Sequence, residues 1–193
     1  MTVLFQSVFY GLYIVWDRKI DFLKEVLAAP LNRSTVFLGK CLGGVTDSMI
    51  QVTIIIVLGF FIFPDLEYTL QSLMLVYLYL FLLAVIMTSL GLIIGSRMDS
   101  PEGFSLITSL VVFPMYFLSG ALFLKKNLID EAPLIYWITA INPASYAVDA
   151  IRYTLIPEDI FLEYGLSRDL AVLIGFCVFL LALGTQSFKT MKL

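Results

Sequence analysis

No histidine occurs among the 193 residues of this chain. That absence closes off Ser-His hydrolysis, His-Glu-x-x-His zinc chemistry and imidazole proton relays at once. No Gly-x-x-x-x-Gly-Lys-Ser/Thr loop stands ready to cradle nucleotide phosphates. No catalytic residue and no metal-ligand set is therefore expected. Three groups of residues remain that could do work of a mechanical or binding kind. One is the mixed-charge run from Trp16 to Lys40, the second is Ile141-Asn-Pro-Ala-Ser-Tyr-Ala-Val-Asp-Ala-Ile-Arg152, and the third is Asp47 with Thr46, Ser48, Gln51 and Thr53 beside it.

Asp47 is the one ionisable group set within an apolar run, where burying charge in lipid costs at least a few kcal/mol. Two readings stand open. It lines a substrate path or subunit seam together with Gln51, or it lies close enough to the inner interface to stay hydrated. A single marginal aspartate argues against proton or sodium coupling, which usually needs several such groups near mid-membrane. Cys41 and Cys177 fall on two different helices and read as small apolar packing residues.

The elements that position these groups are set by charge-free runs. Tyr68 to Ser96 holds no charged residue, and similar runs cover Met1–Trp16, Ser48–Pro64, Gly103–Leu124 and Leu170–Phe188. A hydrocarbon core about 30 Å thick takes roughly 20 apolar residues per helical crossing. The runs are continuously apolar, whereas a barrel strand alternates apolar and polar residues. Hydrophobic residues make up 60% of the chain and charged ones 14%, against roughly a quarter charged in soluble domains. The fold class expected is an all-α integral membrane protein with crossings near 1–16, 41–63, 69–95, 104–124 and 169–188.

Lys and Arg set the orientation. Arg18, Lys19, Lys24, Arg33 and Lys40 crowd the first loop, Arg97 precedes Gly103, and Lys189 and Lys192 close the chain. These segments are expected to face the cytoplasm of a cell-membrane protein, with the C-terminus inside. The Pro64–Glu67 turn and the acid-rich segment 125–169 (Asp130, Glu131, Asp149, Glu158, Asp159, Glu163) then lie outside.

Within that outer segment the span 132–148 is also free of charge, but Asn142-Pro143 interrupts it. Proline removes a backbone donor and pushes its predecessor out of helical geometry. Asn142 is expected to cap a helix whose first residue is Pro143. The outer element, about 127–165, thus becomes a re-entrant pair of short helices. Asp149 and Arg152 stand three residues apart, a spacing for an ion pair. Alternatively they belong to an outer gate with Tyr136, Trp137 and Tyr146, aromatics suited to the membrane boundary. Pro114 and Ser119-Gly120 are expected to bend or break the fourth crossing and to belong, with Asp47 and Gln51, to a candidate translocation path. Gly39-Lys-Cys-Leu-Gly43 and Gly91-Leu-Ile-Ile-Gly95 have the spacing that lets helices approach closely, first within one subunit and second between two.

The first crossing is short: Met1 to Trp16 covers about 24 Å. No basic n-region or cleavage site marks it as a signal peptide. In the loop that follows, Ile20, Leu23 and Leu27 share one helical face with Phe22 and Val26 alongside, while Asp17, Asp21, Lys24 and Glu25 take the other. Pro30 ends that helix, and Asn32 or Ser34 caps the next, which runs into Gly39-Lys40. A helix of this kind can rest on the membrane surface. Its nearly equal mixture of charge signs suits a protein groove better than lipid phosphates.

This loop, the Phe113-Pro114…Leu118-Ser119-Gly120 stretch and the Asn142-Pro143-x-x-Tyr146-x-x-x-x-x-Arg152 element together resemble the permease subunits of ABC-2 type transporters, including the daunorubicin-resistance type exporters. The resemblance spans nearly the whole chain. It implies a membrane half-transporter, homodimeric or paired, driven by a separate ATPase that holds the ATP and magnesium; no cofactor is implied on this chain. It implies that 17–40 is the coupling loop, with Asp17, Arg18, Phe22, Leu23, Glu25, Leu27, Pro30, Arg33, Gly39 and Lys40 facing the ATPase. An amphipathic, drug-like or lipid-linked substrate would move outward. Family members usually carry an interfacial helix and one more crossing ahead of the position matching Met1, so an N-terminal truncation is expected. A secondary carrier or channel fragment and a non-transporting membrane scaffold are the rival readings.

Overall fold

The computed structural model describes residues 1–28, 31–63, 68–122, 133–156 and 164–191. Pro30, the Pro64–Glu67 turn, Asp130, Glu131, Glu158, Asp159, Glu163 and Lys192 lie outside the described residues. Every regular element described is a helix: α1 Thr2–Phe9, α2 Leu12–Lys19, α3 Phe22–Ala28, α4 Arg33–Ile62, α5 Leu70–Gly95, α6 Pro101–Phe117, α7 Pro133–Ile141, α8 Pro143–Leu155 and α9 Leu166–Lys189.

Residues Leu83 through Ser89 of α5 are all buried, although seven consecutive positions go almost twice round a helix. Such a segment can only be central. α1, α4, α8 and α9 pack against α5, and α6 closes the side next to α1. The outer helices turn large apolar residues away from the bundle, among them Ile50, Ile54 and Phe61 of α4, Leu106 and Leu110 of α6, and Val178 and Phe179 of α9. An apolar belt of this extent belongs in hydrocarbon.

Among the described residues three helices, α4, α5 and α9, are long and apolar enough to cross a membrane. At about 1.5 Å per residue they reach about 45, 39 and 36 Å. α6, with 17 residues, reaches about 26 Å. The expected 1–16 crossing is two helices rather than one. At Tyr10–Gly11 the backbone tightens, with Gly11 N–H donating to the Val8 carbonyl and Tyr13 N–H to that of Tyr10.

Backbone contact explains that step. A Cβ on Gly91 would overlap the Val8 carbonyl, and one on Gly11 or Gly95 would overlap the Gly91 or Gly11 carbonyl. The Gly91-x-x-x-Gly95 pair therefore serves packing within the chain. Within the chain Gly39-x-x-x-Gly43 does not pack as a pair: Gly43 sits under the Tyr10 hydroxyl, while a Cβ on Gly39 would meet nothing within 4 Å. Polar side chains fix the depth of each helix against the next. Ser7 and Ser48 hydroxyls lie 2.7 Å apart between α1 and α4, and Ser96 and Ser187 2.8 Å apart between the end of α5 and α9.

Local signals account for the helix ends. Thr69 accepts from Ser72 N–H to start α5, and Ser100 accepts from Gly103 N–H, with Pro101 first in α6. Asn32 occupies the cap position of α4 without a side-chain hydrogen bond. α2 stops because Asp21 adopts the left-handed conformation, φ 58°, which turns the chain into α3.

Candidate functional site

The Lys/Arg-rich end gathers both halves of the expected coupling loop. Asp17, in the last turns of α2, accepts from Lys40 Nζ in α4 at 2.5 Å, and both side chains are largely buried. Lys40 also lies 6.0 Å above the Phe22 ring. Leu23 has no exposure, so it anchors α3 to the core, while Phe22 and Glu25 face outward. Leu27 belongs to α3, its side chain outside the description. The exposed face of the hairpin is Trp16, Ile20, Phe22 and Glu25, apolar and charged together.

Two of the expected coupling arginines are held inside the chain. Arg18 donates to the Ser96 and Met98 carbonyls at 2.9 and 3.1 Å and to the Asp99 carboxylate at 2.9 Å. Arg33 donates to the Met191 carbonyl at 2.6 Å. These carbonyls belong to the last turns of α5 and α9 or follow them directly. Helix C-termini leave four carbonyls without internal donors, and a cation there also meets the negative end of the helix dipole. Arg97 adds Ser187 Oγ and Thr190 Oγ1, each at 3.4 Å. The α2–α3–α4 hairpin is thereby tied to both α5 and α9.

The opposite end follows the same rule. Asn142 Oδ1 accepts from Ala144 N–H at 3.0 Å, and Pro143 is the first residue of α8. The other half of the amide, Nδ2, donates to the Met115 carbonyl in α6 at 2.7 Å. Ser145 donates to the Leu118 carbonyl at 3.2 Å, and Arg152 to those of Gly120 and Ala121 at 3.0 and 3.2 Å. α6 stops at Phe117, and Gly120 takes φ 77°. Past Pro114, then, α6 ends with the carbonyls of its last turn and of the residues after it satisfied by three side chains of the Asn-Pro element.

Asp149 accepts from the Tyr164 amide at 3.0 Å, while Arg152 goes to α6, so each of the expected ion-pair partners holds a different segment. Tyr146 is buried, donates to the Ala140 carbonyl at 2.6 Å and stacks on Tyr164 with centroids 4.9 Å apart. Trp137 is 68% exposed. Pro114 and Asn142 line an apolar recess of about 310 Å³ together with Leu118 and Ile138.

Asp47 is exposed on α4, away from this recess, and Gln51 is half-buried one turn further along. Sequence reasoning passed over Asp169, which is fully buried in the first turn of α9. Its place at the edge of an acidic outer segment hid it. Only the depth of the α9 start, with Leu166 O accepting from Tyr79 Oη at 2.9 Å, brings it inside.

Comparison with known proteins decides the family. Residues 1–156 match the ABC-2 type transporter family. The chain belongs to that family. Among curated relatives, "Putative transport permease ycf38" of Porphyra purpurea is 28% identical over 144 residues, which is 74% of this chain and 48% of the relative. The proteins of the same name from Pyropia yezoensis and Cyanophora paradoxa are each 29% identical, over 144 and 150 residues. This ABC-2 chain thus spans about half the length of the curated relatives it matches. Family membership and the long apolar helices make it a membrane protein, and the family usually works with an ATPase subunit. Arg18, Arg33, Asn142, Ser145 and Arg152, which hold the three helix ends, lie in the segments whose residues carried the resemblance.

Proposed function

We propose that this ABC-2 chain is a permease subunit of an ATP-driven exporter, paired with a second permease and moving an amphipathic, drug-like or lipid-linked substrate outward across the cell membrane. The basic end faces the cytoplasm, five crossings result, and α7 and α8 dip into the outer leaflet. The ATPase binds ATP and magnesium on a separate subunit and docks on α3.

One observation carries this reading. α3 presents Phe22 and Glu25 outward while Leu23, the Asp17–Lys40 pair and Arg18 fix its base to α4 and to the end of the central helix α5. A push on the exposed face is therefore delivered to the middle of the bundle. A helix that only rested on lipid would need no such rigid attachment to α5. At the far side, the Asn142 and Arg152 contacts link α8 to α6, so movement of α6 reaches the outer element.

Co-purification with a candidate ATPase tests the docking. Phe22 and Glu25 are exposed, so F22D with E25K leaves the bundle intact. The double variant is expected to lose ATPase association and stimulated hydrolysis. Full stoichiometry and stimulation in that variant would reject α3 as the docking element.

A further inference from the structure

The Ser7–Ser48 hydrogen bond sets Gln6 of α1 and Asp47 of α4 at about the same depth, and both side chains are exposed. Tyr10, one turn after Gln6, lays its ring against Gly43 and Gly44, one turn before Asp47. Tyr10 and Tyr13 rings meet edge to face at 5.0 Å, and with Gln6, Phe9, Leu12 and Trp16 they wall a recess of about 220 Å³. An aromatic hollow thus lies on α1 and α2, and its Tyr10 wall packs on α4 one turn before Asp47.

That carboxylate lies seven residues beyond Lys40, about 10 Å further along the helix axis from the basic end. Among the described residues no cation comes within ion-pair distance of it. Lys40 is held by Asp17, Arg18 by Asp99 and the end of α5, Arg33 by the Met191 carbonyl, and Arg97 by Ser187 and Thr190. Lys19 lies over Trp16, 5.5 Å from its centroid. One turn further along from Asp47, Gln51 Oε1 is buried without a hydrogen-bond partner. The seam therefore offers negative charge, an idle acceptor and aromatic faces, and among the described residues the one cation of the chain that meets any of them is Lys19, over Trp16.

We propose that Asp47, Gln51 and the Tyr10–Tyr13–Trp16 hollow form an intramembrane binding site for a lipophilic organic cation of the quaternary ammonium or phosphonium kind. This names the substrate class and rests on the transport reading above. Aromatic faces attract such cations, and the attraction grows where water is scarce. A single carboxylate suits a soft, poorly hydrated cation, whereas a hard metal ion demands six or more oxygens. The carboxylate gains a counter-ion at a depth where an unanswered charge is costly.

The test uses the purified chain in neutral detergent, with tetraphenylphosphonium as probe and tetraphenylborate as its size-matched anion. Trp16 fluorescence in a W137F background reports occupancy. Saturable binding of the cation and none of the anion is expected. D47N weakens the cation about tenfold, and D47E stays within about threefold of the parent. Y13L, which removes one aromatic wall, weakens it about threefold. Equal binding of both ions, or D47N binding like the parent, overturns the site, as does stable self-association through this seam that excludes the probe. The assay contains no ATPase. Intact cation binding without ATP-driven export would reject the transport reading alone, and export with D47N-insensitive binding would reject the site alone.

Discussion

Asp17 and Lys40 are 23 residues apart in sequence and share a hydrogen-bonded ion pair that closes the base of the α2–α3–α4 hairpin. Each residue sits in a helix that enters the bundle, so the pair holds the lever by both arms. Partly shielded from water, it is expected to be worth about 1 kcal/mol, the upper end for such pairs. D17K with K40D is expected to recover most of the ATPase stimulation that either single change removes. Stimulated hydrolysis by the co-purified complex measures this, and a swap no better than the worse single variant would show that the pair does not transmit.

Gly91 and Gly39 have the same neighbours in sequence pattern and opposite surroundings. A methyl group on Gly91 collides with the Val8 carbonyl, and backbone cannot swing away as a side chain can. Over-packing of this kind costs about 1–3 kcal/mol or more, so G91A is expected to lower the unfolding temperature in detergent sharply. Gly39 is open and lies inside α4. G39A is expected to stabilise the chain by up to about 1 kcal/mol through helix propensity. Equal melting temperatures for the two variants would contradict the packing.

Asn142 uses both ends of its amide, and two substitutions separate them. N142D keeps the cap on Ala144 N–H but loses the donor to the Met115 carbonyl, leaving a buried acceptor short at about 1–3 kcal/mol. N142A loses the cap as well, about 1 kcal/mol further. Thermal unfolding is expected to rank the parent above N142D and N142D above N142A, with export falling in the same order if α6 and α8 move together. An N142D protein as stable as the parent would remove the α6 contact from the account.

Much of this was legible in the residues. Apolar runs placed the helices α5 and α9 to within a few positions and α4 at its end only, because its first eight residues carry Arg33 and Lys40, and Asn142-Pro143 announced the start of α8 because a capping amide followed by proline has few other uses. Mixed charge marked the 17–40 loop. What charge could not reveal was its destination. Arg18, Arg33 and Arg152 each reach helix carbonyls far away in sequence, and a guanidinium bound for a carbonyl looks the same in a sequence as one bound for a partner protein. The Asp149–Arg152 spacing fitted a local pair, yet open carbonyls past Pro114 drew the arginine to α6. Depth was equally hidden. Asp169 was passed over at the edge of the outer segment because nothing local tells how far below its neighbours a helix begins. The aromatic hollow needed α1 and α4 in register, which the Ser7–Ser48 contact supplies only in three dimensions.

Orientation is open to a direct measurement because both native cysteines, Cys41 and Cys177, are buried and give little background with a polar maleimide. Asp99 is 94% exposed at the basic end, and Ser167 is exposed at the start of α9. With the basic end inside, a cysteine at Asp99 is expected to react only after the membrane is opened. A cysteine at Ser167 is expected to react in intact cells. The reverse pattern would invert the transporter and remove α3 from the reach of any cytosolic ATPase. Labelling of both positions from one side would mean that α5 and α9, which run parallel through the Tyr79–Leu166 and Ser96–Ser187 contacts, do not both cross the bilayer.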